Sequence, residues 1–161
     1  MKTLVIVDVQ KGFLKPEYAE LPNKIRAHLE QKQYDHILFG TFVNKKNSNF
    51  ATLLGWDKLY EPPETDIVPE LIPFSSPERV FTRSTYSLFK SRAFQEYLNT
   101  YDIKQFDLCG LVADSCVLAT AFEGFDLGYE VTVLRDLMLT KEGLNDPTED
   151  IFKRNIDKQI K

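Results

Sequence analysis

The sequence lacks several features that would assign it to a specialised class. Its 161 residues include only two cysteines, Cys109 and Cys116, too few for a disulfide framework. No apolar run approaches the roughly 18 residues of a membrane span. Lys2 leads directly into an apolar run, which does not match a secretory signal with a cleavage site. We therefore expect a cytoplasmic protein that makes no use of a membrane.

The sequence also lacks a strong excess of charge of either sign. The chain has 20 basic and 24 acidic residues, a net charge of −4, and no block of like charge. This balance argues against nucleic acid and against anionic membrane surfaces as partners. Neither internal repeats nor low-complexity segments occur, and the length is enough for a substantial core. We predict a single domain over residues 1–161.

What the sequence does contain is an alternation of short apolar runs and helical patterns. Runs rich in β-branched residues are typical of parallel strands that are buried on both faces. This alternation predicts a three-layer α/β sandwich with a mainly parallel sheet. The predicted strands are 3–9, 36–43, 79–83, 106–112 and 130–136, and a sixth strand near Gln159 is left open. The predicted helices lie around Ile25 and Leu29, at 51–54, at 91–99 and at 148–156.

Three reactive side chains fall at the carboxyl ends of the predicted strands. Asp8 lies near the end of the first strand, Arg83 ends the third, and Cys116 follows the fourth. Ligands of open parallel sheets bind beyond the carboxyl ends, where the strand order reverses. If the sheet has the common order 3-2-1-4-5, which we assume, the first and fourth strands are neighbours at that point. A carboxylate and a thiol would then face each other, with a guanidinium on the same edge.

The residues alone leave two interpretations of Cys116 open. A cysteine in an apolar helix is most often a packed core residue, and mid-strand Cys109 is interpreted in this way. However, Asp114 is a natural N-cap, which would place Cys116 in a first helical turn, where free N–H groups stabilise a thiolate or an oxyanion. Asp8 has the same ambiguity, because strand-end aspartates often cap the following loop. Arg83 could also simply end a strand at the surface.

Three segments together resemble the isochorismatase-like cysteine hydrolases, a family that includes nicotinamidases and N-carbamoylsarcosine amidases. They are LVIVDVQKGF at 4–13, VFTRSTYSLF at 80–89 and GLVADSCVLATAFEGFDLGYEVTVLRD at 110–136. The resemblance implies that Cys116 is a nucleophile, that Asp8 transfers its proton, and that the reaction passes through a thioester. It also implies a homo-oligomer.

The same resemblance implies the surroundings of the thiol. The N–H groups of Val112 and Cys116 would form the oxyanion hole, the first of them presented by a cis Leu111–Val112 bond. Phe13 and Tyr86 occupy positions that commonly line the family's substrate site, although core packing is the alternative for both aromatic rings. Trp56 is either a further pocket residue or an oligomer contact.

Two departures from the family pattern bear on function. Arg83 stands where the family carries a catalytic lysine, and it supplies the same positive charge without being able to lose its proton. Nicotinamidases hold a metal with an Asp-x-His and a further histidine beside the second strand. The corresponding stretch here is TFVNKKNSNF, and the only two histidines, His28 and His36, lie on a predicted helix and at a strand start. We therefore expect no metal site and no cofactor.

The predicted function is metal-independent cysteine hydrolysis of a small amide or a related carbonyl compound. The alternatives are a non-catalytic small-molecule-binding protein of the same fold and a vinyl-ether hydrolase of the isochorismatase type, which needs the aspartate but no thiol. A cysteine phosphatase is excluded, because no arginine follows Cys116 closely enough to hold a phosphate. Substrate choice is expected to depend on the loop at 44–63, whose sequence identifies no substrate.

Overall fold

Five parallel strands form the central sheet in a computed structural model that describes residues 1–140 and 148–156. The sheet order is β3-β2-β1-β4-β5, which confirms both the predicted fold class and the order that was assumed. All strand pairs are parallel. The strands are β1 (Thr3–Val7), β2 (His36–Phe42), β3 (Val80–Arg83), β4 (Gln105–Gly110) and β5 (Glu130–Met138).

Helices cover both faces of this sheet and complete three layers. They are α1 (Leu21–Gln31), α2 (Asn49–Leu54), α3 (Arg92–Thr100), α4 (Leu118–Asp126) and α5 (Thr148–Ile156), with short 3-10 turns at Lys11–Phe13, Pro16–Tyr18, Pro69–Phe74, Pro77–Arg79 and Leu88–Lys90. On one face, Ile25 and Leu29 of α1 pack on β1. On the other, Phe94 of α3, Ala121 of α4 and Phe152 of α5 share one core. Among the described residues, no helix is long and apolar enough to cross a membrane.

The strand ends differ slightly from the predicted boundaries. Strand β4 stops at Gly110, two residues early, and β5 runs two residues further than predicted, to Met138. Gly110 has a φ of 118°, and a Cβ there would lie 2.1 Å from the carbonyl oxygen of Val7. Only glycine allows β4 to approach β1 this closely and then turn towards Cys116. The sixth strand considered near Gln159 lies outside the described residues.

Candidate active site

The structure brings Asp8, Arg83 and Cys116 to the same edge of the sheet. Asp8 follows β1, Arg83 is the last residue of β3, and Cys116 lies in the turn that follows β4. The three residues are 0%, 5% and 5% exposed, respectively. β1 and β4 are adjacent where the strand order reverses, as the topology required. Asp8 has a φ of 56°, a left-handed conformation that aspartate tolerates better than most residues.

Asp8 and Arg83 form a buried, two-pronged ion pair. The two terminal nitrogens of Arg83 donate separately to the two carboxylate oxygens of Asp8, with Nη2 to Oδ2 at 2.8 Å. The same Nη2 also donates to the Tyr86 carbonyl oxygen at 3.1 Å, and the guanidinium lies 5.7 Å from the Phe42 ring centroid. The alternative that Arg83 ends a strand at the surface is therefore wrong. This pairing compensates the charge of both buried groups.

The Cys116 thiol contacts this pair, and its protonation depends on it. Burial raises the pKa of the thiol well above its ordinary value, and the charge of Asp8 raises the pKa further, while Arg83 opposes both effects. Burial would lower the pKa of Arg83, but Asp8, and to a smaller extent Cys116, raise it above the ordinary value. The raised pKa, caused first by burial, favours a protonated thiol at rest, and the guanidinium is already paired with Asp8.

A wide turn, rather than the start of an ordinary α-helix, positions Cys116. Residues Ala113–Val117 form a π-helical turn, in which the N–H of Val117 donates to the Val112 carbonyl oxygen at 3.3 Å. The N–H of Ser115 donates to the same oxygen at 3.0 Å. Val112 is thus the N-cap, without a side-chain capping bond, and Asp114 lies inside the turn. The prediction that Asp114 caps the helix is wrong, because the chain begins to coil two residues earlier.

Two further features lie on either side of Cys116. The peptide bond between Leu111 and Val112 is cis, as the family resemblance implied. The hydroxyl of Thr120 donates to the Cys116 carbonyl oxygen at 2.7 Å and accepts from the N–H of Leu88 at 3.0 Å. Thr120 thereby connects the cysteine turn to the segment that follows Arg83, a role that nothing in the sequence pattern indicated.

Cys116 and Val112 line a cavity of about 300 Å³ that opens at this edge. The volume lies at the lower end of ligand pockets and is suited to a small molecule. Phe13 and Tyr86 also line it, so the structure places all the proposed pocket residues together. Tyr86 is 45% exposed, which rules out core packing for its side chain. The remaining lining residues are Gly12, Lys15, Tyr18, Phe42, Phe50, Leu54, Trp56, Lys58 and Ser115.

Aromatic rings form most of the cavity wall. Phe13 and Trp56 are stacked, with centroids 6.0 Å apart and an angle of 18° between the rings. Phe50 contacts Tyr86 at 4.7 Å and Phe42 at 4.8 Å between centroids. Trp56, for which an oligomer contact was the other interpretation, is therefore a pocket residue in this structure. Such walls favour a flat, apolar body in the ligand.

The loop at 44–63 is held in place by a buried side chain that sequence reasoning left without a role. The amide of Asn44 donates to the Trp56 carbonyl oxygen at 3.0 Å, and its oxygen accepts from the Ser48 hydroxyl at 2.6 Å. The Ser48 oxygen in turn accepts from the N–H of Ala51 at the start of α2, at 3.1 Å. The bonds of Asn44 and Ser48 therefore shape the wall that carries Phe50 and Trp56.

Gln10 is a second residue that sequence reasoning missed. Its side chain is fully buried, donates to the carbonyl oxygens of Phe42 and Thr65 at 2.9 and 2.8 Å, and accepts from the Phe42 N–H at 2.7 Å. It thereby ties the segment after β1 to the end of β2. The available signal was an uncharged polar residue two positions after Asp8, at the end of the predicted first strand.

Neither histidine belongs to the site. His28 Nε2 lies 2.8 Å from the Tyr34 hydroxyl, and His36 Nδ1 lies 2.9 Å from the Tyr97 hydroxyl. Within residues 1–140 and 148–156, no group of three or more His, Cys, Asp or Glu side chains is arranged to hold a metal ion. Beside β2, where the family resemblance led us to look for metal ligands, the chain has Asn44 and Ser48, which are bonded to each other.

Comparison with known proteins identifies the relatives of this chain. The family model described as the isochorismatase domain matches residues 2–148. Isochorismatase domain-containing protein 2 of Xenopus laevis is 29% identical over 56 residues, which are 35% of this chain. The match spans 27% of the length of that relative.

Two solved structures show the same fold over almost the whole chain. N-carbamoylsarcosine amidase from Thermoplasma acidophilum superposes with a TM-score of 0.85 and 20% identity, covering 99% of this chain and 95% of the amidase. Pyrazinamidase of Pyrococcus horikoshii, solved in complex with zinc, superposes with a TM-score of 0.77 and 20% identity, covering 99% and 97%. These similarities establish a common fold.

Proposed function

The chain belongs to the isochorismatase family of hydrolases, and on that premise we propose that it is a cysteine hydrolase that cleaves a small amide through a thioester. The observation that carries the proposal is the contact of the Cys116 thiol with the buried Asp8–Arg83 pair beside a cavity of about 300 Å³. A thiol packed only for stability, like Cys109 in β4, has no such partners. A nucleophile next to its proton acceptor is the arrangement that acyl transfer requires.

The proposed reaction begins with the transfer of the thiol proton to Asp8. The sulfur of Cys116 attacks the amide carbon, and the carbonyl oxygen becomes an oxyanion that the N–H groups of Val112 and Cys116 stabilise. The C–N bond breaks as Asp8 returns the proton to the leaving amine. Asp8 then takes a proton from water, the hydroxide attacks the thioester, and the acid leaves as the thiol is restored.

Arg83 has two tasks in this scheme. Its planar fork holds the Asp8 carboxylate in one orientation, and its charge stabilises the thiolate that forms when the proton moves to Asp8. The proton transfer converts an ion pair of Arg83 with Asp8 into an ion pair of Arg83 with sulfur. The charge therefore stays in place while the anionic partner changes, and a resting thiolate is not needed.

The reaction needs no metal or cofactor. Among the described residues no donor set for a metal such as zinc is found, since Asn44 and Ser48 bond to each other and both histidines bond to tyrosines. No step is therefore assigned to a metal. A cytoplasmic location, a single domain and a homo-oligomer stay predictions from the sequence and its family resemblance.

One observation favours a second candidate, a small-molecule-binding protein that has lost catalysis. Both Asp8 oxygens accept from Arg83, and the thiol stays protonated at rest. If the ion pair does not open to the thiol proton, the cavity binds its ligand without reaction.

Ammonia release from a panel of small primary amides separates the two candidates. We expect the Cys109→Ala variant to release ammonia like the unmodified chain, and Cys116→Ala to release none. Cys109 is the matched control, since both thiols are buried. If no amide is hydrolysed, or if Cys116→Ala remains active, the cysteine mechanism is wrong.

A further inference from the structure

The charged residues that line the cavity beside Cys116 are all basic, while the charges of Glu17 and Asp114 act on the lining residue Tyr18 from outside it. Lys15 and Lys58 both line it, whereas none of the described residues that line it is acidic. Both lysines are exposed, so their ammonium groups belong to the mouth rather than the floor. The floor itself contributes no net charge, because Arg83 is paired with Asp8 and Cys116 is a thiol.

Neither ammonium group forms an ion pair with another of the described residues. In the part of the chain that the structure describes, the ion pairs of the lysines involve Lys11, Lys90 and Lys104, and neither Lys15 nor Lys58 is among them. The Nζ of Lys15 lies 5.8 Å from the Tyr18 ring centroid, and Tyr18 is itself a lining residue. A cation over a ring at the cavity wall remains available to an anion in the cavity.

The aromatic walls add a second requirement on the ligand. Six lining residues are aromatic, and the stacked pair of Phe13 and Trp56 presents extended ring surface. A flat body suits these walls, while two cations at the mouth suit a negative group at the end of that body.

We propose that the substrate is a small, flat amide that carries a carboxylate, with the carboxylate at the cavity mouth near Lys15 and Lys58 and the amide carbon at Cys116. This inference rests on the proposed function for the orientation of the amide, but the charge preference is a property of the cavity alone. The lysines therefore determine specificity by attracting one class of amide over its neutral analogues.

Fluorescence of Trp56, the single tryptophan, reports occupancy of this cavity directly. Benzoate and benzamide are flat probes of nearly the same size that differ in charge. We expect benzoate to bind at least about tenfold more tightly, equivalent to about 1.4 kcal/mol. The preference should disappear near 1 M salt, where the screening length falls to about 3 Å.

Variants assign the preference to the two lysines. In Lys15→Gln/Lys58→Gln the preference for benzoate should fall to about twofold or less, well under the tenfold that equals 1.4 kcal/mol. Lys46→Gln is the matched control, since Lys46 is an exposed lysine near the same loop that does not line the cavity, and it should keep the full preference. Circular dichroism of each variant verifies its fold.

Several outcomes would overturn the inference. These are equal affinity for the two probes, tighter binding of benzamide, a preference that survives removal of both lysines, and no fluorescence response to either probe. The same titrations on Cys116→Ala separate this inference from the proposed function. If that variant keeps the benzoate preference while the unmodified chain hydrolyses no amide, the charge preference stands and the hydrolase proposal fails.

Discussion

Arg83 holds both carboxylate oxygens of Asp8, and the thiol of Cys116 contacts the same pair. The pair is almost completely buried, with 2% exposure of the Arg83 side chain and none of the Asp8 side chain. Burying such a pair costs desolvation energy. Removing only one of the two partners is strongly destabilising, because the other charge then stays buried without a partner. The carboxylate therefore has a fixed position next to the thiol whose proton it is proposed to take.

The first prediction concerns the stability that depends on this pair. Arg83→Ala leaves the Asp8 carboxylate buried and unpaired, so we expect the free energy of unfolding to fall by about 3–5 kcal/mol. Arg83→Lys keeps the charge but not the two-pronged geometry and should lose less. Urea denaturation measures both. Arg92→Ala is the control, because its ion pair with Glu96 is on the surface and should be worth about 0.5 kcal/mol. Equal losses in Arg83→Ala and Arg92→Ala would contradict the prediction.

The same substitutions should also affect the thiol. Without the Arg83 charge, the thiolate loses its stabilising partner, and iodoacetamide should label Cys116 at least about tenfold more slowly at neutral pH, since one pKa unit is a factor of ten in thiolate. Arg83→Lys should label faster than Arg83→Ala. The measurement is the labelling rate of Cys116 as a function of pH, made in a Cys109→Ala background so that Cys116 is the thiol that reacts. An unchanged profile in Arg83→Ala would show that Arg83 does not replace the family's lysine.

Asp8→Asn should have opposite effects on thiol ionisation and on turnover. The Asp8 charge raises the pKa of the thiol, so its removal should lower that pKa. The labelling profile of Cys116 then moves to lower pH, while amide hydrolysis falls by about 100-fold or more because the proton acceptor is lost. Asp114→Asn, a half-buried acid in the same turn, is the matched control and should do neither. If Asp8→Asn still hydrolyses the amide at the original rate, Asp8 is not the proton acceptor.

Gly110 and Gly128 test the close approach of β4 to β1. Both have positive φ, but a Cβ on Gly110 would lie 2.1 Å from the Val7 carbonyl oxygen, whereas a Cβ on Gly128 would meet nothing within 4 Å. Gly128→Ala should cost about 1–2 kcal/mol for the left-handed backbone alone. Gly110→Ala should cost about 4 kcal/mol or more, because the backbone must also move. Thermal or urea unfolding measures the stability lost in each variant. Equal losses would mean that β4 can move away from β1 at no cost, which would contradict the prediction.

Elements with continuous burial could be predicted from the sequence. All five residues of β1 are buried, so its apolar run was unambiguous, and the alternation with helices led to the parallel sheet. The strand ends indicated the three reactive residues, and the family resemblance supplied their roles and the pocket aromatics. These predictions concern short segments, in which the type of each residue and of its sequence neighbours is enough to identify the element.

Features that depend on the exact backbone path or on contacts between separate segments could not be predicted. Asp114 has the composition of an N-cap, but the chain coils already at Val112, because the Val112 carbonyl accepts from Ser115 and Val117. Likewise, the amide of Asn44 shapes the cavity wall through the Trp56 carbonyl, a contact that exists only once the loop has folded. The pKa of Cys116 likewise depends first on burial, which is a property of the packed site.

The most direct test of the account is a search for the thioester on Cys116. The chain is mixed with an amide that it hydrolyses, quenched with acid during turnover, and digested for mass spectrometry. The account predicts a mass increase equal to the acyl group on the peptide that contains Cys116, removed by neutral hydroxylamine and missing in Cys116→Ala. Turnover in which the acyl group never appears, or in which it appears on another residue, would contradict the account.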